Sequence, residues 1–316
     1  MTEPVSPTAG SRSRTESTTE VFLQNHSRLH LPRPSLGACL YLGVERDTRT
    51  LRLSDSQRFN YYPATPLPTI HWIFHGDLRM VQASASMTAE PTLGPVLPRV
   101  VLSGPHRSPS ASWSPEGVHA LSVGFYPEAM SRLFGIRIEP LMDRIVPLDA
   151  VLSGSLLGRL LEIGEPGACE PFDQLERLLQ TLWHDANGDE SLPTLRGWVQ
   201  SMAVRAAFSR TGAGLRRAQR RFRDWTGQSR RDLQLFVRTE QAMARASSQP
   251  HDGTPDLAAL AAEAGFADQS HLGREVRRVT GLPPRRLGEL MKTEEAFWFY
   301  RLLSEHLRER PRPVGD

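Results

Sequence analysis

Lysine is almost missing from this chain. Lys292 is the only one among 316 residues, so arginine carries nearly all of the side-chain positive charge. The choice of arginine over lysine at any one position therefore means little. Cysteine is scarce as well. Cys39 and Cys169 lie far apart with no Cys-x-x-Cys spacing, which excludes a zinc-ribbon site and a disulfide framework. A reduced, intracellular protein fits that usage best. No apolar run approaches the roughly 20 residues of a membrane span, and the N-terminus lacks the apolar core of a secretion signal. The expectation is a soluble, cytoplasmic protein. A nucleotide-cradling loop, a Gly-x-Ser-x-Gly elbow and a reactive-cysteine setting are all absent. No catalytic residue, cofactor or metal site is expected, and the chain reads as a non-enzyme.

What is present is unevenly distributed. Hydrophobic residues make up 39% of the chain, and its length leaves room for two domains. The net charge is only +3. Between Ser201 and Arg245, however, eleven arginines stand against three acids (Asp224, Asp232 and Glu240), a local balance of +8. A basic block in a near-neutral chain is the electrostatic footprint of phosphate binding, though a charge run can also be a solvated face.

The most informative stretch is Leu257 to Leu287. Thr254-Pro255-Asp256 reads as a helix start, with a capping hydroxyl, proline at the first position and an acid in the first turn. Leu257, Leu260, Ala261 and Ala264 follow at helical spacing, and Gly265 ends the helix. Asp268 is placed to cap a second helix, which buries Leu272 and Val276 and leaves Gln269, Ser270, Gly273, Arg274 and Arg277 outside. Gly281 and Pro283-Pro284 stop it. Two short helices joined by a glycine-bearing turn make a helix-turn-helix, whose second helix presents its N-terminal side chains to a DNA major groove. Gln reads adenine edges, Arg reads guanine edges, and either can hold a phosphate.

A copy lies upstream. Arg220 to Leu233 precedes Arg274 to Leu287 by 54 residues, and six of the fourteen pairs are identical. They are Arg220 with Arg274, Arg223 with Arg277, Thr226 with Thr280, Gly227 with Gly281, Arg231 with Arg285, and Leu233 with Leu287. Phe222 pairs conservatively with Val276. The motif is thus duplicated within one chain. Two recognition helices on one unit can enter successive major grooves about 34 Å apart. The segment 233–246 is expected to be the helix that sets their spacing, with Leu233, Phe236, Val237 and Met243 on its apolar side. The first recognition helix is expected at about 215–224, with Leu215, Ala218 and Phe222 facing inward. Arg217, Arg221 and Arg223 suit phosphates. Gly214 stands where a capping serine is usual.

These residues also resemble a family. Ala-Glu-Ala-Gly-Phe-Ala-Asp-Gln-Ser-His-Leu from Ala262, then Arg274, then Thr280-Gly281-Leu282-Pro283-Pro284, is similar to the second helix-turn-helix of AraC-type (AraC/XylS) transcription regulators. The family usually has Phe at Val276. Matching its positions one by one implies that Arg216, Gln219 and Arg220 face the groove from the first helix, and Gln269, Ser270, His271 and Arg274 from the second. Arg223 and Arg277 complete the expected DNA-binding set.

The N-terminal half has a different texture. Residues 1–20 are Ser, Thr, Pro, Glu and Arg with few large apolar side chains, and read as a disordered tail. Leu36–Val44 reads as a strand ended by a turn at Glu45-Arg46-Asp47. Thr48–Leu53, Thr69–Phe74, Leu78–Gln82, Val100–Ser103 and Val118–Phe125 read as further strands. Many short strands with Gly and Pro punctuation suggest a small barrel or sandwich. A helix follows from Pro127 to Gly135. Ser153–Leu161 and Phe172–Trp183 read as amphipathic helices, the second burying Phe172, Leu175, Leu178, Leu179 and Leu182. They either cap the core or pair two subunits. The blocks Arg58–Pro68 with Trp72 and Phe74, and Val123–Pro127, Leu133–Gly135 and Asp143–Asp149, are similar to the sensor domain of one AraC subgroup. That resemblance implies a cupin-like unit that senses a ligand or dimerises.

His71 and His75 share a strand face, and His106 and His119 lie near later strands. Inward histidines in a barrel can hold a metal, but no carboxylate completes a set. The resulting expectation is an α+β protein in four parts. Residues 1–20 form a tail, 21–190 a β-rich sensor or dimerisation domain with C-terminal helices, 191–290 a double helix-turn-helix, and 291–316 a C-terminal helix and tail. The linker falls at 185–192. After Leu287 a tail helix carries Leu290, Phe297, Tyr300, Leu303 and Leu307 on one side, which packs back on the protein or meets a partner. The expected function is sequence-specific transcription regulation on double-stranded promoter or operator DNA. A small-molecule effector, a second copy of the chain and, for an activator, RNA polymerase are open as partners. The competing reading is a cupin-like metal enzyme with a vestigial DNA module.

Overall fold

The structure, a computed structural model, describes residues 26–82, 92–165, 169–183, 194–208, 215–247 and 256–309. The expected disordered tail, the linker at 185–192, Thr254-Pro255 and the turn at 209–214 lie outside the described residues.

Strands come first. They are β1 (Ser27–His30), β2 (Leu40–Asp47), β3 (Phe59–Tyr62), β4 (Thr69–His75), β5 (Arg79–Gln82), β6 (Thr92–Val96), β7 (Val100–Ser103), β8 (Ser110–Trp113), β9 (His119–Phe125) and β10 (Ile145–Pro147). They form two antiparallel sheets, one in the order β1-β2-β9-β4-β7-β10 and one in the order β3-β8-β5-β6. Side chains on a strand alternate between faces. In the larger sheet Ile70, Trp72, Leu102, Leu121, Val123 and Phe125 therefore face one core. Their neighbours His71, Ile73, Val101, Ala120 and Ser122 face the other way, into a cavity.

Helices cover the first of those faces. Helix α1 (Pro127–Phe134) starts with proline in its first turn and ends where Gly135 turns left-handed at φ 67°. Helices α2 (Gly154–Leu161) and α3 (Pro171–Gln180) bury Leu160, Phe172, Leu175, Leu178 and Leu179 against the sheet. They cap the core. Trp72 is wholly buried there, and its indole N–H is satisfied by the carbonyl of Leu160 at 2.8 Å.

Four local expectations are corrected. Glu45-Arg46-Asp47 is not a turn but the end of β2, because Arg46 and Glu45 find buried ionic partners that make the strand tolerable. Residues 48–53 form no strand despite their alternation, because the chain turns after Thr48, where the Leu51 N–H bonds the Thr48 carbonyl at 3.0 Å. Leu182 is exposed while Trp183 is buried, because α3 has already ended at Gln180 and the helical stripe no longer applies. Finally, α7 (Leu257–Glu263) begins one residue after Asp256. Asp256 is itself the cap, its carboxylate accepting the N–H groups of Ala258 and Ala259 at 2.9 and 3.1 Å.

The helical half comprises α4 (Leu195–Phe208), α5 (Leu215–Thr226), α6 (Arg230–Ser247), α7, α8 (Gln269–Thr280), α9 (Pro284–Thr293) and α10 (Trp298–Glu309). Helix α10 packs back on the β-sheets, as one of the two alternatives for the tail required. Trp298 joins Leu42 and Val44 in a core of its own, and Tyr300 is fully buried.

Candidate nucleic-acid interface and the cavity behind it

The duplication is present atom for atom. The Thr226 hydroxyl donates to the carbonyl of Phe222 at 2.8 Å and accepts the N–H of Gln228 at 3.2 Å. The Thr280 hydroxyl donates to the carbonyl of Val276 at 2.9 Å and accepts the N–H of Leu282 at 3.2 Å. Gly227 and Gly281 follow with φ of 74° and 79°, and their N–H groups reach Arg223 and Arg277 at 2.7 and 2.8 Å. In each copy a threonine folds back to satisfy the orphan groups at the end of the recognition helix, and a left-handed glycine turns the chain away. Leu233 and Leu287 then anchor the helices that follow.

The second motif is organised as its sequence requires. Asp268 caps α8 by accepting the N–H of His271 at 2.7 Å, and Gly265 takes φ 74° between α7 and α8. Leu272 and Val276 are buried with Leu260, Ala261 and Phe266. Gln269, Ser270, Arg274 and Arg277 are exposed. His271 is half-buried: its Nδ1 accepts the N–H of Ala267 at 3.3 Å and its ring meets Phe266 edge to face. The ring is thus engaged in shaping the turn. In α5, Arg216, Arg217, Gln219, Arg220 and Arg223 are exposed while Phe222 is buried. Arg221 departs from the expectation of a phosphate contact. Its guanidinium bonds the carbonyl of Ala206 at 2.6 Å, supplying a donor to one of the unpaired carbonyls at the end of α4.

Helix α6 joins the copies. Leu233, Leu235, Phe236 and Val237 are buried against α4 and α5 in one cluster. Toward the second motif, Asp232 pairs with Arg278 at 3.7 Å, Arg245 with Glu263 at 3.3 Å, and the Arg238 guanidinium lies 5.1 Å from the Phe266 ring centroid. Exposed ion pairs contribute little individually, so the apolar cluster holds the spacing.

Neither copy is free of the β-sheets. The β3–β4 loop touches both. Ala64 donates its N–H to the carbonyl of Val279 at 2.7 Å, and Pro66 accepts from the Gln228 side chain at 3.2 Å. Glu128 of α1 accepts from Trp198 and Arg205 of α4 at 3.3 and 2.9 Å. Burial raises the Glu128 carboxyl pKa despite the nearby Arg205. At the other end, Arg46 and Glu295 form a buried ion pair at 2.7 Å, Arg301 joins Glu295 at 2.6 Å, and Trp298 donates to Asn60 at 2.8 Å. Sequence reasoning missed these contacts. The loop's residues were visible only as part of a resemblance block, and nothing local marks Glu295 as the partner of Arg46.

Behind the interface lies a cavity of about 230 Å³. One wall is the inner face of the larger sheet, with His71, Ala120 and Ser122. A second comes from Asn60, Tyr62, Met80 and Ser112 of the smaller sheet. The last is helical: Phe236, Thr239, Glu240 and Met243 of α6 and Trp298, Phe299 and Leu303 of α10. The β3–β4 loop, Pro63 to Leu67, is also part of the lining. His71 sits on a central strand, yet keeps some accessible surface because it faces the cavity. Its Nδ1 lies 2.8 Å from the Ser122 hydroxyl, and burial pushes its pKa down to about 4.

The other histidines are spread apart. His106 pairs with Ser103 at 3.2 Å, and His75 is exposed at the strand end. His119 bonds Glu45 at 2.7 Å, and His30 reaches the same carboxylate at 3.0 Å. Burial alone would raise the pKa of Glu45, but the bonds with His119 and His30 pull it down to about 2. Among the described residues no group of three or more His, Cys, Asp or Glu side chains is placed to hold a metal ion. Among them too, no helix is long and apolar enough to cross a membrane.

Comparison with known proteins bears on the helical half. Residues 208–289 match a family model described as a helix-turn-helix domain. By class the chain is a DNA-binding transcription regulator. Its helix-turn-helix segment is of the AraC type. No curated protein matches the chain by sequence. Among solved structures, an apo variant of ToxT from Vibrio cholerae strain SCE256 is 14% identical, covering 78% of this chain and 95% of that one with a TM-score of 0.35. ToxT from Vibrio cholerae O395 is 10% identical, covering 75% and 95% with a TM-score of 0.34. The unsaturated fatty acid-bound wild-type ToxT of strain SCE256 is 12% identical, covering 74% and 94% with a TM-score of 0.31.

Proposed function

We propose that this regulator reads two successive major-groove segments of an operator with α5 and α8, under the control of a small molecule held in the cavity. The observation that carries the first part is the repeated threonine–glycine turn, which sets two recognition helices on one spacer helix. Arg216, Gln219 and Arg220 of the first helix and Gln269, Ser270 and Arg274 of the second contact base edges or the adjoining backbone. Arg223 and Arg277 hold phosphates. His271 helps shape the turn and offers the rest of its ring to the DNA. The Arg-rich first copy supplies much of the sequence-independent grip, and the better-capped second copy is the ordered reading head.

The second part rests on position. The cavity is walled by the sensor sheets and by α6, the helix that spaces the two readers, so a ligand there touches both. On this reading the chain divides into a sensor unit through about residue 190 and a helix-turn-helix unit to about 290. The C-terminal helix adds a tie between them.

Selection of bound fragments from genomic DNA by the purified protein, at two salt concentrations, tests the reading. The expected product is an operator with two conserved blocks about one helical turn apart, enriched at both salts. Binding that vanishes at moderate salt, with no shared sequence among the fragments, would sink it. Sedimentation of the selected complexes gives the number of chains per operator.

A further inference from the structure

The cavity's chemistry narrows what it can hold, an argument that rests on the effector reading above. Size sets the first limit. A dry apolar cavity of about 150 Å³ takes one benzene, so one of about 230 Å³ takes a molecule of one to two rings. Most of the wall is apolar, with Ile73, Ala120, Phe236, Met243 and Leu303 among its residues.

Charge sets the second limit. Among the described residues of the wall, Arg46 is the one arginine and lysine contributes none. Its terminal nitrogens are already committed: Nη2 lies 2.7 Å from Glu295 and Nη1 donates to the Ser27 hydroxyl at 2.8 Å, while Nε has no partner but is sealed from water. Histidines His71 and His106 also line the space, and burial holds both below the ordinary imidazole range. On the helical side the wall carries Glu240, a carboxylate that accepts from Tyr41 at 3.1 Å. A ligand carboxylate or phosphate would leave water and find no uncommitted cation, which is costly.

Arg46 Nε and Thr239 Oγ1 of the wall also lack partners but are sealed from water, which leaves the His71 ring. His71 spends Nδ1 on Ser122, and its other ring nitrogen has no hydrogen bond among the described residues while the side chain faces the cavity. We propose that the cavity binds an uncharged, largely apolar molecule of one to two rings, carrying a hydroxyl or carbonyl group that bonds the free nitrogen of His71. An effector of this kind fills space beside Phe236 and Met243 and so meets α6 directly.

Calorimetric titration of the full chain with 2-naphthol and with 2-naphthoate at pH 7.5 tests this. The two differ chiefly in the charge of one substituent. The neutral probe is expected to bind, and the anion at least about a hundredfold more weakly. Ala120→Leu, which fills the inner face of β9, is expected to abolish naphthol binding. His71→Phe is expected to weaken it about tenfold, and it carries the test alone if Ala120→Leu does not fold. Naphthoate binding as tightly as naphthol, and lost in the filled variant, overturns the ligand class and leaves the effector reading standing. Absence of binding by both probes, or naphthol binding untouched by either substitution, overturns the proposal and the cavity as effector site together. Operator binding by the unliganded protein is measured separately and depends on neither outcome.

Discussion

Ala64 donates its backbone N–H to the carbonyl oxygen of Val279 at 2.7 Å, joining a loop of the β-sheet half to the last turn of the second recognition helix. Two residues further along, Pro66 accepts from Gln228, just past the first recognition helix. One short loop therefore holds equivalent ends of both readers, and the same loop lines the cavity. On the effector reading, a ligand that displaces this loop would shift both helices at once.

Three left-handed glycines separate the backbone role of these turns from their docking role. Gly265, at φ 74°, has nothing within 4 Å of a built Cβ, so Gly265→Ala should cost only the backbone term of about 1 kcal/mol. In Gly281→Ala the new methyl would also lie 3.2 Å from Pro109, and in Gly227→Ala 2.9 Å from the sulfur of Met142 and 3.2 Å from Ile138. Urea denaturation should rank the losses in that order, with Gly227→Ala at about 2–3 kcal/mol. Equal losses at all three would mean that the docking contacts contribute nothing.

The two kinds of DNA contact should part in a binding assay. Arg274→Ala is expected to relax preference at one base pair of the operator, at a cost of about 1–3 kcal/mol on the specific site. Arg223→Ala should weaken specific and random DNA alike and lower the salt slope by about one. Parallel losses on both DNAs for both variants would show that these roles are wrongly divided.

Acid should destabilise the fold in a window set by His71. Its folded pKa, about 4, lies below the ordinary 6.5, so below pH 6.5 the unfolded chain takes up a proton that the folded chain refuses. Stability contributed by the neutral ring is therefore complete above pH 6.5 and lost as pH falls to about 4, at most on the order of 3 kcal/mol. Chemical denaturation at pH 7.5 and pH 4.5 should show the loss in the parent and a smaller one in His71→Gln. Glu45 acts lower down. Its pKa is depressed to about 2, so its contribution is present above pH 4.5 and disappears toward pH 2.

The Arg46–Glu295 pair is buried on both sides, with side chains 5% and 2% exposed. Glu295→Gln leaves Arg46 without its counter-charge and also removes the partner of Arg301. A loss of about 3–5 kcal/mol is expected, whereas Arg46→Met combined with Glu295→Leu should recover much of it. Thermal melts of the parent, Arg46→Met, Glu295→Leu and the combined variant form a double-mutant cycle that gives the coupling directly.

Legibility in the sequence followed the range of the interactions involved. Helix ends that depend on a residue's own backbone, at Gly135, Gly265, Gly281 and Asp268, fall where local rules place them. The 54-residue repeat was visible because both copies need the same threonine and glycine for the same turn. Short strands such as β3 and β8 were not, since Phe59–Tyr62 and Ser110–Trp113 are only four residues each and stabilise each other across some fifty positions. Glu45-Arg46-Asp47 looked like a turn because charged residues rarely end a buried strand. Only the fold shows that Glu295 lies 249 positions along the chain to receive Arg46. The cavity, lined from two sheets and four helices, has no local signature at all.

Helix α6 has 18 residues, and so is a rod about 27 Å long between the two copies. A rod fixes rotation as well as distance. Inserting a single base pair between the two operator blocks turns one about the DNA axis by roughly 35° relative to the other, given 10–10.5 base pairs per turn. Neither α5 nor α8 can swing to follow it while both are docked on the β3–β4 loop. On the proposed two-groove reading the protein would gauge phase as well as sequence, and promoters that keep both blocks but change the gap by one should be silent to it.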